Sequence, residues 1–328
     1  MKNLSWIISL VLALGINLST AADDKKKATA KTKPATKTKP VKKATPPKKA
    51  PAKPTPAPKK KAPVKKPAPK KPAPKPKSVF SDKNLEKAVR KQVFAKRHTT
   101  DPLTKEDVAQ VAIVFGKNMG IKNLSGLEHC RALASLDLAG NEIKDLTPLK
   151  GLPRLQQLIL NTNKVTSVAP LADNKALQYI DLNHNQLTDI SPLKGLTNMS
   201  VLYVSDNQLK EVSPVMKLPK LHSFYFDRNQ IKSIAGINGL RWLSSFSAAG
   251  NQISDLKPMT GLENLSYLFL EKNRIADLNP LLQMIESDYQ DKQRFSPFVR
   301  IYLKGNPLTA ASKKRMGEFK KKYYTRFR

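Results

Sequence analysis

An α/β solenoid carrying one parallel sheet is predicted by three observations. Asn141, Asn163, Asn185, Asn207, Asn229, Asn251 and Asn273 recur every 22 residues without a slip, and Asn306 follows 33 residues after the last of them. Apolar residues keep fixed offsets from these asparagines. A turn-forming segment fills the second half of each unit. Self-similarity at a short fixed period is the mark of stacked repeats. Stacked repeats make a long surface rather than a pocket, so the expected role is binding and not catalysis.

Each unit is numbered from Leu133, Leu155, Leu177, Met199, Leu221, Leu243 and Leu265 as position 1, which puts the asparagines at position 9. Position 4 holds Leu136, Leu158, Ile180, Leu202, Phe224, Phe246 and Leu268; position 6 holds Leu138, Leu160, Leu182, Val204, Phe226, Ala248 and Leu270. Positions 4 and 6 alternate inward on a short strand. Position 11 (from Ile143 to Ile275) and position 14 (from Leu146 to Leu278) complete the apolar set. At position 9 the chain leaves the strand, and backbone donors and acceptors lose their sheet partners. A buried Asn amide both donates and accepts, so it can satisfy them from repeat to repeat. Position 13 is Asp145, Ser167, Asp189, Glu211, Ser233, Asp255 or Asp277, each read as a cap. Proline follows three residues later in all but one unit, where Gly236 stands instead. This predicts short 3₁₀ or extended turns on the convex side.

The pattern L-x-x-L-x-L-x-x-N-x-[ILV], with a second half such as D-L-T-P-L or D-I-S-P-L, resembles the bacterial internalin-like family of leucine-rich-repeat proteins with 22-residue units. The resemblance covers about residues 79–320. It is specific for fold and uninformative about ligand, because binding surfaces differ among members. The longer unit with Gly-x-Ile-Pro found in plant extracellular repeats is absent.

An open stack exposes its core at both ends, so both ends need caps. Residues 79–110 are expected to form a helical N-terminal cap, as the resemblance also implies. A helix is predicted from Ser81-Asp82-Lys83, with Leu85, Val89 and Val93 on one stripe, and a second start at Thr104 with Asp107 three residues on. Repeats are expected over 111–309. Val111, Val114, Ile121, Leu124, Leu127 and Cys130 fit a degenerate first unit with Met119 in place of the Asn. The last unit is elongated around 283–297, predicted as a loop or small helix. Phe298, Ile301, Leu303, Asn306 and Leu308 are expected to make the last strand and turn. A basic cap helix is expected over 310–328, with Met316 and Phe319 facing inward.

Residues 1–22 combine Lys2, an apolar run over 6–18 and small residues at Thr20 and Ala22. This predicts a secretory signal peptide, with cleavage after Ala21 or Ala22 and a secreted, periplasmic or envelope-associated location in a bacterium. The run is short for a bilayer span. Residues 23–78 hold 21 Lys, 2 Asp and 14 Pro and no aromatic residue, so they cannot bury a core and are expected to be disordered and extended. Of the formal net charge of +34, this segment carries +19; residues 79–328 carry +14, half of it in 313–328. Such a tail attracts polyanions without choosing among them. After export these would be anionic lipid headgroups, lipopolysaccharide phosphates or acidic wall polymers. Export argues against nucleic acid. A plain spacer kept soluble by charge is the other reading.

The chain holds one cysteine, Cys130, at a position where other units place leucine, which predicts a buried apolar role. No nucleophile, zinc or phosphate-loop motif is present, and no cofactor or metal is expected. His184 and His222 are placed on or beside the sheet face, as exposed polar residues. The concave face carries the informative side chains, at positions 3, 5, 7 and 8. Tyr179, Tyr203, Tyr225, Tyr267 and Phe269, with Arg228, are the candidate protein-binding residues, since aromatic anchors are enriched at such sites. Strand propensity alone also favours aromatics there. Over the seven units, five acids (Asp137, Asp181, Asp206, Asp227, Glu271) outnumber two bases (Arg228, Lys272). A mildly acidic face is therefore expected, one that phosphate polymers should avoid. The alternative function is a structural polyanion binder whose tail does the binding and whose solenoid is scaffold.

Overall fold

The computed structural model describes residues 77–294, 298–323 and 326–328. The expected signal peptide and nearly all of the basic tail lie outside the described residues. Helices α1 (Lys83–Arg90) and α2 (Lys105–Val108) precede strand β1 (Ile113–Phe115). Then come β2 (Ser135–Asp137), β3 (Gln157–Ile159), β4 (Tyr179–Asp181), β5 (Val201–Tyr203), β6 (Ser223–Tyr225), β7 (Ser245–Ser247) and β8 (Tyr267–Phe269). Helix α3 (Asn279–Gln290), β9 (Arg300–Tyr302), α4 (Ala310–Tyr323) and β10 (Arg326–Phe327) complete the chain. The ten strands form one parallel sheet in chain order. Pairing follows the 22-residue offset, so Leu136, Leu158 and Ile180 sit side by side, and so does every later position 4. The residues at positions 4, 6, 11 and 14 form one continuous core. Each such side chain, fully buried, contributes about 1.5–3 kcal/mol relative to an exposed one.

The asparagines do what their position requires. Asn207 Oδ1 accepts from the Leu187 N–H at 2.9 Å, and its Nδ2 donates to the carbonyls of Leu182 and Val204, each at 3.0 Å. The same three bonds recur at Asn163, Asn185, Asn229, Asn251, Asn273 and Asn306. Asn141 serves the unit that lacks its own Asn, accepting from both Met119 and Ile121. The residue before each Asn turns the chain sharply. Thr162, His184, Asp206, Arg228 and Lys272 take φ of 50–58°, and Gly140, Gly250 and Gly305 occupy the same place in their units. A non-glycine residue there costs about 1–2 kcal/mol, which the asparagine bonds and the core offset.

On the convex side the proline-containing segments form 3₁₀ turns. The position-13 side chains act one residue earlier than a helix cap would. Asp145 accepts from the Thr147 N–H at 2.8 Å, and Asp189, Asp255 and Asp277 accept likewise two residues on. Ser167 and Ser233 do the same with their hydroxyls. These are side-chain turns that set up the 3₁₀ segment, and the formal cap is the apolar residue at position 14.

At the N-terminal end, Asp82 caps α1 through Asn84 and Leu85, and its second oxygen accepts from the Lys122 and Asn123 N–H groups of the first repeat. One side chain thus starts the cap helix and fastens it to the stack. Thr104 and Asp107 form a reciprocal capping box at α2. Cys130 is fully buried, and burial pushes its thiol up to about 12, which makes it an inert packing group.

The C-terminal end differs from expectation in three ways. The elongated unit holds a twelve-residue helix, α3, which begins at Asn279, ahead of the anticipated 283–297. Phe298 does not enter the core: it is 73% exposed, and Val299 is buried instead. The strand itself keeps the register counted back from Asn306, with Leu268 beside Ile301. Finally, β9 is not the last strand. The basic helix ends at Tyr323, and β10 pairs with β9 in parallel, aligning Arg326 with Arg300 and Phe327 with Ile301. This covers an edge that would otherwise leave backbone groups unpaired. Phe319 is buried and Met316 packs against the core, as expected; Tyr323 is buried as well and donates to Glu286 at 2.6 Å, which ties α4 to α3.

Candidate functional site

Each three-residue strand sends position 4 into the core and positions 3 and 5 to the concave side. In-register pairing therefore lines up position-5 side chains across the sheet at the interstrand spacing of about 4.8 Å. The aromatic residues use that spacing. Tyr203 and Tyr225 stack at 4.7 Å between ring centroids, and Phe269 and Tyr302 stack at 4.6 Å. Tyr225 and Phe269 meet edge-on at 6.4 Å, reaching across β7, whose position 5 is Ser247. Tyr179 joins one end, edge-on to Tyr203 at 5.7 Å, and Tyr267 lies parallel to Phe269 at 6.2 Å. The five aromatic candidates thus belong to one ribbon running from β4 to β9. Such ring pairs contribute about 0.5–1.5 kcal/mol each beyond area burial. Burial, followed by the nearby Tyr225 and Asp181, pushes the Tyr203 hydroxyl up to about 12; Tyr179 is displaced upward as well, by burial first. Both phenols stay protonated at any physiological pH.

Arg228, the sixth candidate, is not free to meet a ligand as a lone cation. Its guanidinium pairs with Asp206 through Nε and Nη2, and His184 Nε2 lies 3.4 Å from the same carboxylate. The Arg228 hydrogen bond holds the Asp206 carboxyl below its ordinary range despite partial burial. His222 lies at the opposite end of its strand, with Nδ1 3.0 Å from Ser223 Oγ, and burial lowers its pKa. The two histidines do not converge. Among the described residues there is no group of three or more His, Cys, Asp or Glu that could hold a metal.

The expected mildly acidic face needs correction. Arg300 (position 3), Tyr302 (position 5) and Lys304 (position 7) of the last repeat lie on it, and β10 adds Arg326 and Arg328 beside them. Arg300 sits over the Tyr267 ring at 5.3 Å and Arg328 over the Tyr302 ring at 5.9 Å. Position 7 of the first unit, Lys117, is basic too. The face is therefore polarised and not uniformly acidic: Asp137 and Asp181 mark β2–β4, and arginines mark β9–β10. Arg300 and Tyr302 were legible by counting back from Asn306. Arg326 and Arg328 were not, because β10 has no repeat pattern.

Asp181 and Asp137 both project from position 5, with Ile159 between them. The Asp181 carboxylate accepts the Asn183 N–H at 3.0 Å and has no ion-pair partner among the described residues. Burial first, and then Asp137, raise its pKa. A carboxyl whose folded pKa lies above its unfolded value favours unfolding once ionised, so its contribution worsens as pH rises through the window between the two. Asp181→Asn keeps the acceptor and removes the charge. It is expected to raise the thermal midpoint at about pH 7 and leave it unchanged at about pH 3. A paired calorimetric scan at the two pH values checks this.

A solenoid with this parallel sheet, asparagine ladder and 3₁₀ back is a leucine-rich-repeat protein. The leucine rich repeats (2 copies) family matches residues 131–173, 153–195 and 175–215. Internalin C2 of Listeria monocytogenes is similar at 33% identity, over 63% of this chain and 91% of that one, with a TM-score of 0.60. An internalin of the same organism, InlF, is similar at 24% identity over 76% of this chain and 91% of its own, with a TM-score of 0.54. A leucine-rich-repeat protein of Leptospira interrogans shares the fold at 22% identity, over 62% of this chain and 56% of that one, with a TM-score of 0.53. No curated protein matches the chain. The chain belongs to the internalin-like leucine-rich-repeat family.

Proposed function

We propose that this protein is an exported, non-catalytic binding module that takes a protein ligand on its concave face, while its basic tail holds it near an anionic surface. The aromatic ribbon carries the reading. Six rings from five of the strands β4–β9, on the open side of the sheet, form a preorganised apolar strip, flanked by charge, as anchor clusters at protein interfaces are. The internalin-like fold supports a surface-based role. The composition of residues 1–22 and 23–78 supports export and tethering. Envelope association in a bacterium follows from the same two segments.

The test uses the full chain as bait for solubilised envelope proteins. Tyr203→Ala with Tyr225→Ala is expected to cut ligand capture at least about tenfold at physiological salt, since a buried aromatic anchor is worth about 2 kcal/mol or more. Capture that survives this pair but collapses as salt rises would transfer the binding to the tail. That outcome would favour the second reading, a polyanion-binding envelope protein in which the solenoid is scaffold. The excess of 21 Lys over 2 Asp in residues 23–78 is what keeps that reading in view.

A further inference from the structure

The two ends of the concave face carry opposite charge, and the basic end combines unpaired arginines with the aromatic ribbon. Arg300, Arg326 and Arg328 share the face at β9–β10. None of them is within salt-bridge distance of a carboxylate among the described residues. Arg300 is instead steadied by the Tyr267 ring and hydroxyl, its Nη1 donating to the hydroxyl at 3.3 Å, and Arg328 by the Tyr302 ring. A guanidinium presents five N–H donors in a fork that matches a carboxylate, and a single bond to a ring hydroxyl leaves most of them for a ligand. Glu271 is the one Asp or Glu at the concave positions beyond β7 among the described residues; it sits at position 7, where the chain leaves the strand, and one of its oxygens is buried without a partner. It does not neutralise the arginines.

We propose that the β9–β10 end of the concave face is an acidic-segment pocket. The ligand is a protein whose docking strand or loop places Asp or Glu against Arg300, Arg326 and Arg328, and lays apolar or aromatic side chains over Tyr302, Phe269, Tyr225 and Tyr203. This rests on the reading of the ribbon as the binding strip and adds the chemistry of its partner. Polarity selects protein over a phosphate polymer. A uniform polyanion gains at β9–β10 and is repelled by Asp137 and Asp181 at β2–β4, and it leaves the rings without apolar contact. A polypeptide can be acidic at one end and apolar along the rest, which suits the whole strip. The arrangement also fixes the direction in which the ligand lies.

A random peptide library displayed on phage, selected in parallel on the full wild-type chain and on full-chain Arg300→Glu with Arg328→Glu, tests this. Both baits carry the same tail, so tail binding is common to them. Binders specific to the wild type are expected to place Asp or Glu beside aromatic residues and to lose about tenfold or more in affinity for the charge-reversed chain. Arg326→Glu, which disturbs no ring contact, is expected to weaken the same peptides and guards against misfolding of the double variant. Identical peptides from both baits, or wild-type binders without acidic residues, would overturn the proposal. Peptides that depend on Tyr203 and Tyr225 but not on the arginines would overturn it while leaving the ribbon intact; peptides indifferent to both would remove both. Binding of phosphatidylglycerol vesicles that is lost on Arg300→Glu with Arg328→Glu would assign the arginines to a lipid surface and also overturn it.

Discussion

Asn207→Ala is expected to destabilise the solenoid by about 2–4 kcal/mol. The Leu187 N–H, buried, loses its acceptor outright. The carbonyls of Leu182 and Val204 fare better, because each keeps a second asparagine: Leu182 still accepts from Asn185, and Val204 from Asn229. One orphaned buried donor costs about 1–3 kcal/mol, and the lost side-chain packing adds to it. Asn207→Asp is expected to be equally severe, since a carboxylate replaces the Leu187 bond but sets a negative charge against two carbonyls. Asn306→Ala should cost less, because Asn306 closes the ladder and is only partly buried. Urea midpoints for the three variants check this ranking. In a quasi-one-dimensional array the damage at Asn207 also weakens the coupling between the flanking repeats. Amide exchange should therefore accelerate most at β4 and β5, the repeats that Asn207 joins.

The second large effect is expected at Phe226. Phe226→Ala should cost about 3–5 kcal/mol, the usual range for deleting a buried ring. Phe226 is fully buried, 4.8 Å from the Phe224 ring and 5.4 Å from the Phe246 ring. These three replace the aliphatic side chains that fill positions 4 and 6 elsewhere. The small Ala248, at position 6 of the following repeat, offsets their volume. Ala248→Leu in the Phe226→Ala background is therefore expected to recover part of the loss, by refilling the space from the next repeat. In the wild-type background the same change should overpack the core and destabilise it. Chemical denaturation of the four chains gives the coupling energy, which this packing predicts to be far from zero.

The ladder made the regular part of the molecule readable. Once position 9 was known, every residue from Leu133 to Leu278 had an address, and the strands, core columns and convex turns lie where the addresses put them. The misplaced elements fall where the period ends. Phe298 has the address of a core residue, but it follows the insertion and stays exposed, and Val299 takes the place. β10 is two residues long, with no asparagine and no apolar alternation, and only three-dimensional pairing reveals it. The position-13 carboxylates looked like helix caps because a cap and a side-chain turn use the same residue types; a 3₁₀ turn is too short to separate them by pattern. Of the candidate site, the five aromatics were readable because alternate strand positions face one side. Their union into one ribbon depends on ring orientation, and the charge of the face depends on β9 and β10. Both belong to tertiary structure.

The account stands most directly on whether a partner protein touches the ribbon. A photo-crosslinking benzoylphenylalanine placed at Tyr225, compared with one at the exposed Trp242 off the ribbon, measures this in the full chain incubated with native envelope. The account predicts a discrete protein adduct from position 225 that persists at high salt, and none from position 242. Equal crosslinking from both positions, or adducts at 225 that vanish as salt rises, would contradict it.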